Sequence, residues 1–295
     1  MRYKTPNALE MAIKDAARRS SQDTGKAIAG FYFDRFLCRI FSNENSAFIL
    51  KGGQSLLARA QNARSTRDID LLAQSSDLDE ALEKLRQLAS IDLDDHIHFE
   101  YINHKPIRLE DEHRRGYNIT FQPYLGVTPM PTIAVDLVID QAFYGDPISL
   151  KPKHRLPVKD LEVYDYLVCP IENSIADKLY AIAQDHNGIP SSRMKDFVDL
   201  IFIATTQTFE SDTLFLRIQE EAIMRKTQPA TAVEIPPQWL TTLRGTYTSL
   251  IRECGLTEKF PNIEAGFEFV SGYLNPIIQK TTTNKTWNPN TFKWE

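Results

Sequence analysis

Three aspartates define the chemistry to look for. Asp68 and Asp70 stand two apart in the run RDIDLL, and Asp136 interrupts a second apolar run, Ile133–Ile139. Side chains alternate along a strand, so Asp68 and Asp70 take one face while Ile69 and Leu71 take the other. Carboxylates sharing a face can hold a hard divalent cation such as Mg²⁺, which in turn grips substrate phosphates. Upstream, Lys51-Gly52-Gly53 ends the apolar stretch Phe48–Leu50 and opens a helix-compatible stretch from Gln54 to about Ala63. A helix start offers backbone N–H groups to an anion. Strand, glycine turn, helix and strand together read as a metal-dependent nucleotide site, with a structural hairpin as the alternative.

Asp-x-Asp carries no weight by itself, because it recurs at Asp77/Asp79 and Asp92/Asp94. Those two pairs lie in acidic, helix-like or turn-like surroundings, where caps and solvated charge explain them. Asp136 differs, since burying an unpaired carboxylate is costly. Its period-two neighbours Ala134 and Val138 share its face. On a strand beside Asp68 and Asp70 it is a third acid of the site. The other readings are an acid at a sheet edge or one paired with arginine.

The elements that must position these residues follow from periodicity. Residues 6–20 form an amphipathic pattern, and Asp23 or Thr24 caps a second helix through Phe41. Ser76 or Asp77 caps a helix to about Ala89, and strands are expected at 97–103, 117–124 and 132–139. Helices followed by such strands imply a mixed sheet with helices packed on it, an α/β (α+β) arrangement. Residues 145–160 read as a loop, and the domain boundary falls near 168–170, giving 1–169 and a helical domain 170–295. In the second part, Asn173 or Ser174 caps a helix containing Asp177 and Lys178, stopped at Asn187-Gly188. Ser191 or Ser192 caps the next, which holds Arg193, Asp196 and Asp199. Further helices are expected at about 210–226, 237–253 and 262–279, with a tail lacking regular structure. A nucleotidyl-transfer site needs a cation against the triphosphate, and Lys178 is a candidate, with Asp196 to orient it or the incoming hydroxyl. The plainer readings are a solvated lysine and an i,i+3 pair of Arg193 with Asp196.

Composition excludes several classes. The chain has 295 residues, 42% apolar and 25% charged, enough for one large or two ordinary domains. No apolar stretch approaches the roughly 20 residues of a membrane span, and the first residues have no apolar signal core. Cys38, Cys169 and Cys254 form no zinc or disulfide pattern and fit a reducing cytosol, so a cytoplasmic protein is expected. The net charge of −5 advertises no global nucleic-acid affinity. Local basic clusters remain: Lys51 with Arg59, Arg64 and Arg67, then His104 to Arg115, then Lys151 to Arg155.

KGGQSLLARAQNARSTRDIDLL resembles the first motif of the AbiEii/MenT family of nucleotidyltransferase toxins, within the DNA polymerase β-like nucleotidyltransferase superfamily. The pattern maps onto Gly52-Gly53 with Ser55, onto Asp68 with Asp70, and onto Asp136. IADKLYAIAQDHNGIPSSRMKDFVDL is similar to the second signature and maps onto Lys178 and Asp196. WNPNTFKWE resembles the family's C-terminal end, so the resemblance spans about residues 45–295. Where the family commonly has Ser or Thr after the glycines, this chain has Gln54.

The resemblance implies an N-terminal α/β half that binds a nucleoside triphosphate with Mg²⁺ and a helical half that closes over it. Gly52, Gly53, Ser55, Arg67 and Lys178 would bind the nucleotide. Asp68 and Asp70 would hold the metal, and Asp136 would activate the attacking hydroxyl or bind a second ion. Lys178 would steady the triphosphate and Asp196 would fix Lys178 or the acceptor. A nucleoside monophosphate would pass to the 3′ end of tRNA, stopping translation, and a cognate antitoxin would restrain the enzyme. Arg59, Arg64 and Lys151–Arg155 would carry the acceptor stem by phosphate contacts. The alternatives are a small-molecule acceptor, as in antibiotic adenylylation, and a catalytically silent nucleotide-binding module.

Overall fold

A computed structural model of the chain describes all residues except 1–2, 21, 44–46, 61, 108–113, 141–144, 154 and 187. The fold is mixed α/β. Its contacts divide into two compact units: Met1–Gln61 with Ser65–Phe143 and Pro147–Cys169, and Asn62–Arg64 with Tyr144–Asp146 and Pro170–Glu295.

The first unit runs α1 (Pro6–Arg19), α2 (Thr24–Ile40), β1 (Phe48–Lys51), α3 (Gly52–Arg59), β2 (Asp68–Ala73), α4 (Leu78–Ala89), β3 (Ile97–Pro106), β4 (Arg114–Leu125), β5 (Thr128–Pro129), β6 (Ile133–Asp140), β7 (Ile148–Leu150) and β8 (Tyr166–Val168). Short polar side chains set the helix starts. Thr5, Asp23 and Asp77 each accept a hydrogen bond from a first-turn N–H of α1, α2 and α4. Asp77 is thus a cap, and Asp92 accepts from the Asp94 N–H in a turn. Both later Asp-x-Asp pairs serve local structure.

The strands form one sheet in the order β3-β4-β6-β2-β1-β8-β7, with β5 paired to β4. β2 runs parallel to β6 and antiparallel to β1, while β1 runs parallel to β8, so the sheet is mixed. Ile69, Leu71, Val135, Leu137 and Ile119 enter the main core with Leu9, Ile13, Phe36, Leu82 and Leu85 of the helices. The opposite face carries a small cluster of Ile49, Leu72 and Cys169 against Val138. Alternation therefore leaves Asp68, Asp70 and Asp136 half-buried on that second face. Buried Asp95, just before β3, accepts from both Arg35 Nε (2.8 Å) and Arg39 Nη2 (2.7 Å), fastening α2 to the sheet's end.

The second unit is helical: α5 (Ile171–Ala183), then β9 (Asp185–His186) and β10 (Ile189–Pro190), α6 (Met194–Thr206), α7 (Ser211–Met224), α8 (Trp239–Thr242), α9 (Arg244–Glu253), α10 (Ile263–Ile278), β11 (Trp287–Asn288) and β12 (Lys293–Trp294). Several expectations need correction. Residues 145–160, read as a loop, hold β7, α6 takes Arg193 and not Ser191 or Ser192 as its cap, and 237–253 divides into α8 and α9. α3 starts two residues early and ends at Arg59, because Gly52 adopts φ +59 and turns the chain directly into the helix. α5 starts at Ile171 with Pro170 as its cap, ahead of Asn173 and Ser174. The tail is ordered: β11 pairs with β12, and the Trp287 and Trp294 indoles donate to the Ala204 and Tyr273 carbonyls. α5 also ends at Ala183 with Gln184 as its C-cap, ahead of the stop expected at Asn187-Gly188, of which Asn187 lies outside the described residues. Among the described residues no helix is long and apolar enough to cross a membrane.

Candidate active site

Sheet register brings the acids of the first unit together. Asp70 of β2 pairs with Asp136 of β6, and Asp68 pairs with Ala134. Asp136 pairs in turn with Asn118 of β4, and Asp70 with Lys51 of β1. Cross-strand partners project from the same face at about 5 Å spacing. A single row across four strands therefore reads Lys51, Asp70, Asp136, Asn118. Asn118 Nδ2 donates to Asp136 Oδ1 at 2.6 Å, fixing that carboxylate's plane. Asp68 Oδ1 accepts from Thr66 Oγ1 at 2.8 Å. Neither Asn118 nor Thr66 stands out in the sequence, since their roles exist only through register and a turn.

The two glycines act on these same acids. A Cβ added at Gly52 would lie 1.8 Å from Asp70 Oδ2, and one at Gly53 would lie 2.9 Å from Thr66 Cβ. Glycine is thus required so that the start of α3 can press against the acidic strand. Gly52 also has φ +59, which costs an L-residue roughly 1–2 kcal/mol. Gly52→Ala is expected to displace the Asp70 carboxylate and to lose at least about ten-fold in nucleotide transfer. Steady-state kinetics beside a melting curve check this.

Ser55, expected at the nucleotide, is fully buried, and its Oγ donates to the Gly52 carbonyl at 2.9 Å. Its hydroxyl is spent inside the first turn of α3. What the turn holds out to a phosphate is backbone N–H, the first of which have no partner within a helix. Gln54, in the place of the usual hydroxyl residue, is buried, and Arg67 is exposed immediately before β2.

Among the described residues no group of three His, Cys, Asp or Glu side chains is gathered to hold an ion unaided. Mg²⁺ ordinarily takes one or two carboxylates from a protein and completes its octahedron with water and substrate phosphates. Asp70 and Asp136, in register and with Asp70 seated where a Gly52 Cβ would be, fit that donor set. The expected trio with Asp68 is not assembled in advance.

In the second unit, Lys178 and Asp196 meet as expected, with a partner that sequence reasoning passed over. Lys178 on α5 is buried, and its Nζ donates to Asp196 Oδ1 (2.9 Å) and to Asp199 Oδ2 (2.8 Å). Asp199 also receives a two-pronged contact from Arg64 Nε and Nη2, both at 2.8 Å. Arg193 Nε lies 2.7 Å from Asp196 Oδ2. Five charges thus alternate Arg64, Asp199, Lys178, Asp196, Arg193. Burial alone would lower the Lys178 ammonium, but Asp199 and Asp196 outweigh it and hold it above the usual lysine range. Burial likewise would raise Asp196, yet Lys178 and Arg193 keep it below the ordinary 3.8. The spacing Asp196-x-x-Asp199 places both acids on one helix face, a signal in the sequence that could have found Asp199.

Several residues expected to carry an acceptor stem are committed elsewhere. Arg59 is buried and donates to the Cys169 carbonyl at 2.7 Å. Arg64 serves Asp199. Arg155 Nε donates to Asp34 Oδ1 at 3.0 Å, and its guanidinium lies over the Tyr166 ring. Each pairs internally because a guanidinium withdrawn from water needs partners for its donors. Lys151 and Lys153 are exposed, while part of the clusters at 104–115 and 151–155 lies outside the described residues.

A mixed sheet with a glycine turn against paired strand carboxylates, followed by a helical unit, defines a nucleotidyltransferase-type architecture. The model of the AbiEii family, the nucleotidyl transferase toxins of type IV toxin–antitoxin systems, matches residues 35–267, and the chain belongs to that family. Among solved structures it is similar to MenT4, a nucleotidyltransferase toxin of Mycobacterium tuberculosis H37Rv, at 14% identity and TM-score 0.50, over 79% of this chain and 77% of that one. A likeness at TM-score 0.44 extends to JHP933 of Helicobacter pylori, at 14% identity over 87% of this chain and 94% of that one. A nucleotidyltransferase described as putative from H. pylori gives the same score at 15% identity, over 88% and 99%. No match emerges among curated proteins.

Proposed function

We propose that the protein transfers a nucleoside monophosphate from a nucleoside triphosphate to an acceptor hydroxyl, that of the tRNA 3′ end, in a Mg²⁺-dependent reaction. The observation that carries this reading is the row in which Asp70 and Asp136 are cross-strand partners, with Asp70 against the Gly52 turn. The family supplies the class of reaction and implies a triphosphate substrate and an antitoxin partner. Asp70 and Asp136 would hold the ion, whose contribution is to polarise the phosphate oxygens and offset their charge.

The remaining roles fall to the chain's own residues. Backbone N–H groups at the start of α3 bind phosphate oxygens. Asp136, oriented by Asn118, accepts the proton of the attacking hydroxyl. The acceptor oxygen bonds to the α-phosphorus, the bond from that phosphorus to the bridging oxygen breaks, and pyrophosphate leaves with the electron pair. The family resemblance gives Lys178, which donates to Asp196 and Asp199, the role of steadying the triphosphate. Asp68, tied to Thr66, contributes negative potential beside Asp70, and Arg67 positive charge toward the nucleotide. Exposed Lys151 and Lys153 are assigned to the RNA backbone, without base readout.

Incubation of the protein with each α-labelled nucleoside triphosphate, Mg²⁺ and total tRNA tests this. Label is expected in tRNA, with transfer falling steeply as salt rises, because phosphate contacts release counterions. Label in an aminoglycoside-type acceptor, and none in RNA, would establish the small-molecule reading instead. Nucleotide binding with no transfer to any acceptor would establish the silent module.

A further inference from the structure

We propose that Lys51 binds the β- and γ-phosphates of the nucleotide and steadies the departing pyrophosphate. The inference rests on the nucleotidyltransferase reading and adds to it a residue that the resemblance does not assign. Lys51 is the last residue of β1 and the residue from which α3 starts. Its Cα partner is Asp70, whose own partner on the other side is Asp136. Lys51 therefore shares the carboxylates' face, one strand spacing of about 4.8 Å from Asp70. It is half-buried there, where a four-carbon stem can lie along the sheet with its ammonium raised toward solvent.

Charge accounting calls for such a group. Two ionised carboxylates cancel one divalent ion, so the triphosphate's own charge must be met by other cations. Two arginines of the same unit are engaged, Arg59 on a carbonyl and Arg155 on Asp34, while Arg67 is exposed just before β2. Lys105, at the far end of the same row beyond Asn118, is two strands from Asp136 and exposed. Of the two lysines in that row, Lys51 is the one that adjoins a carboxylate of the Asp70–Asp136 pair. A flexible, compact ammonium beside the helix start is suited to follow charge as it accumulates on the leaving group.

The test compares wild type, Lys51→Met and Lys51→Arg in titrations with each Mg²⁺–nucleoside triphosphate and its monophosphate. Lys51→Met is expected to weaken triphosphate binding at least about ten-fold and to leave monophosphate binding within about two-fold. Lys51→Arg is expected to keep triphosphate affinity within about three-fold. Equal losses for mono- and triphosphate, or no loss, would overturn the assignment. A second measurement needs only the wild type: acetylation of Lys51 by acetic anhydride, read by mass spectrometry. Slower acetylation with Mg²⁺–triphosphate but not with monophosphate supports the contact, and unchanged acetylation overturns it. A wild type that binds no triphosphate at all removes the nucleotidyltransferase reading, and this inference with it.

Discussion

Asp70→Asn lowers nucleotide transfer at least about a hundred-fold, a loss of roughly 2.7 kcal/mol in the barrier, and leaves the melting temperature within about 3 °C of wild type. Both halves follow from position. Asp70 is half-buried on the second face of β2, outside the main core, and an isosteric amide keeps its shape there. The amide keeps the seat against Gly52 but carries no charge, so a divalent ion loses half of its carboxylate pair. Kinetics beside thermal denaturation separate the two effects. A variant that melted early would place Asp70 among structural residues, and one that kept its activity would remove it from the reaction.

Lys178→Met is expected to damage stability and activity by separable routes. It leaves Asp196 and Asp199 buried with one cation fewer each. Removing one partner of a buried pair typically costs about 3–5 kcal/mol, and the lower end applies because Arg193 and Arg64 remain. Transfer should fall at least about a hundred-fold even where the variant is folded. Adding Asp196→Asn to Lys178→Met removes one stranded charge, so it should restore much of the stability and none of the activity. Acid titration gives the sign. The Asp196 carboxyl is held below 3.8 when folded, so its stabilising contribution is complete above about pH 4 and is lost as pH falls through the lowered value. The stability gap between wild type and Lys178→Met should therefore narrow as the pH drops below 4. Denaturant unfolding across that range measures it, and a gap independent of pH would deny the coupling of Asp196 to Lys178.

Local patterns in the chain made the elements of this site legible, and long-range pairing supplied what they omit. The period-two alternation of Asp68-Ile69-Asp70-Leu71 predicts a strand with acids on one face, and the structure has it. Asp136 on its own strand follows from the same rule, as does the cap at Asp77. Nothing local says that β6 runs parallel to β2 with Asp136 opposite Asp70, because register is a contact between residues 66 positions apart. Arg35 and Arg39 with Asp95, and Arg64 with Asp199, are likewise pairings across long stretches of chain. For that reason basic residues that look available in sequence, Arg59 and Arg155 among them, prove to be internal fasteners. The glycine pair shows the same limit. Its sequence suggests a phosphate turn, while its geometry adds that Gly52 and Gly53 make room for Asp70 and Thr66.

The central claim is that a nucleotidyl group, rather than a terminal phosphate, leaves the triphosphate under control of Asp70 and Asp136. Parallel incubations of the wild type with α-labelled and γ-labelled forms of the same nucleoside triphosphate, Mg²⁺ and tRNA test it most directly. The account predicts label in RNA from the α-labelled substrate alone, label in free pyrophosphate from the γ-labelled one, and neither after EDTA or with Asp70→Asn. Label in RNA from the γ-phosphate, or α-label transfer undiminished in Asp70→Asn, would contradict it.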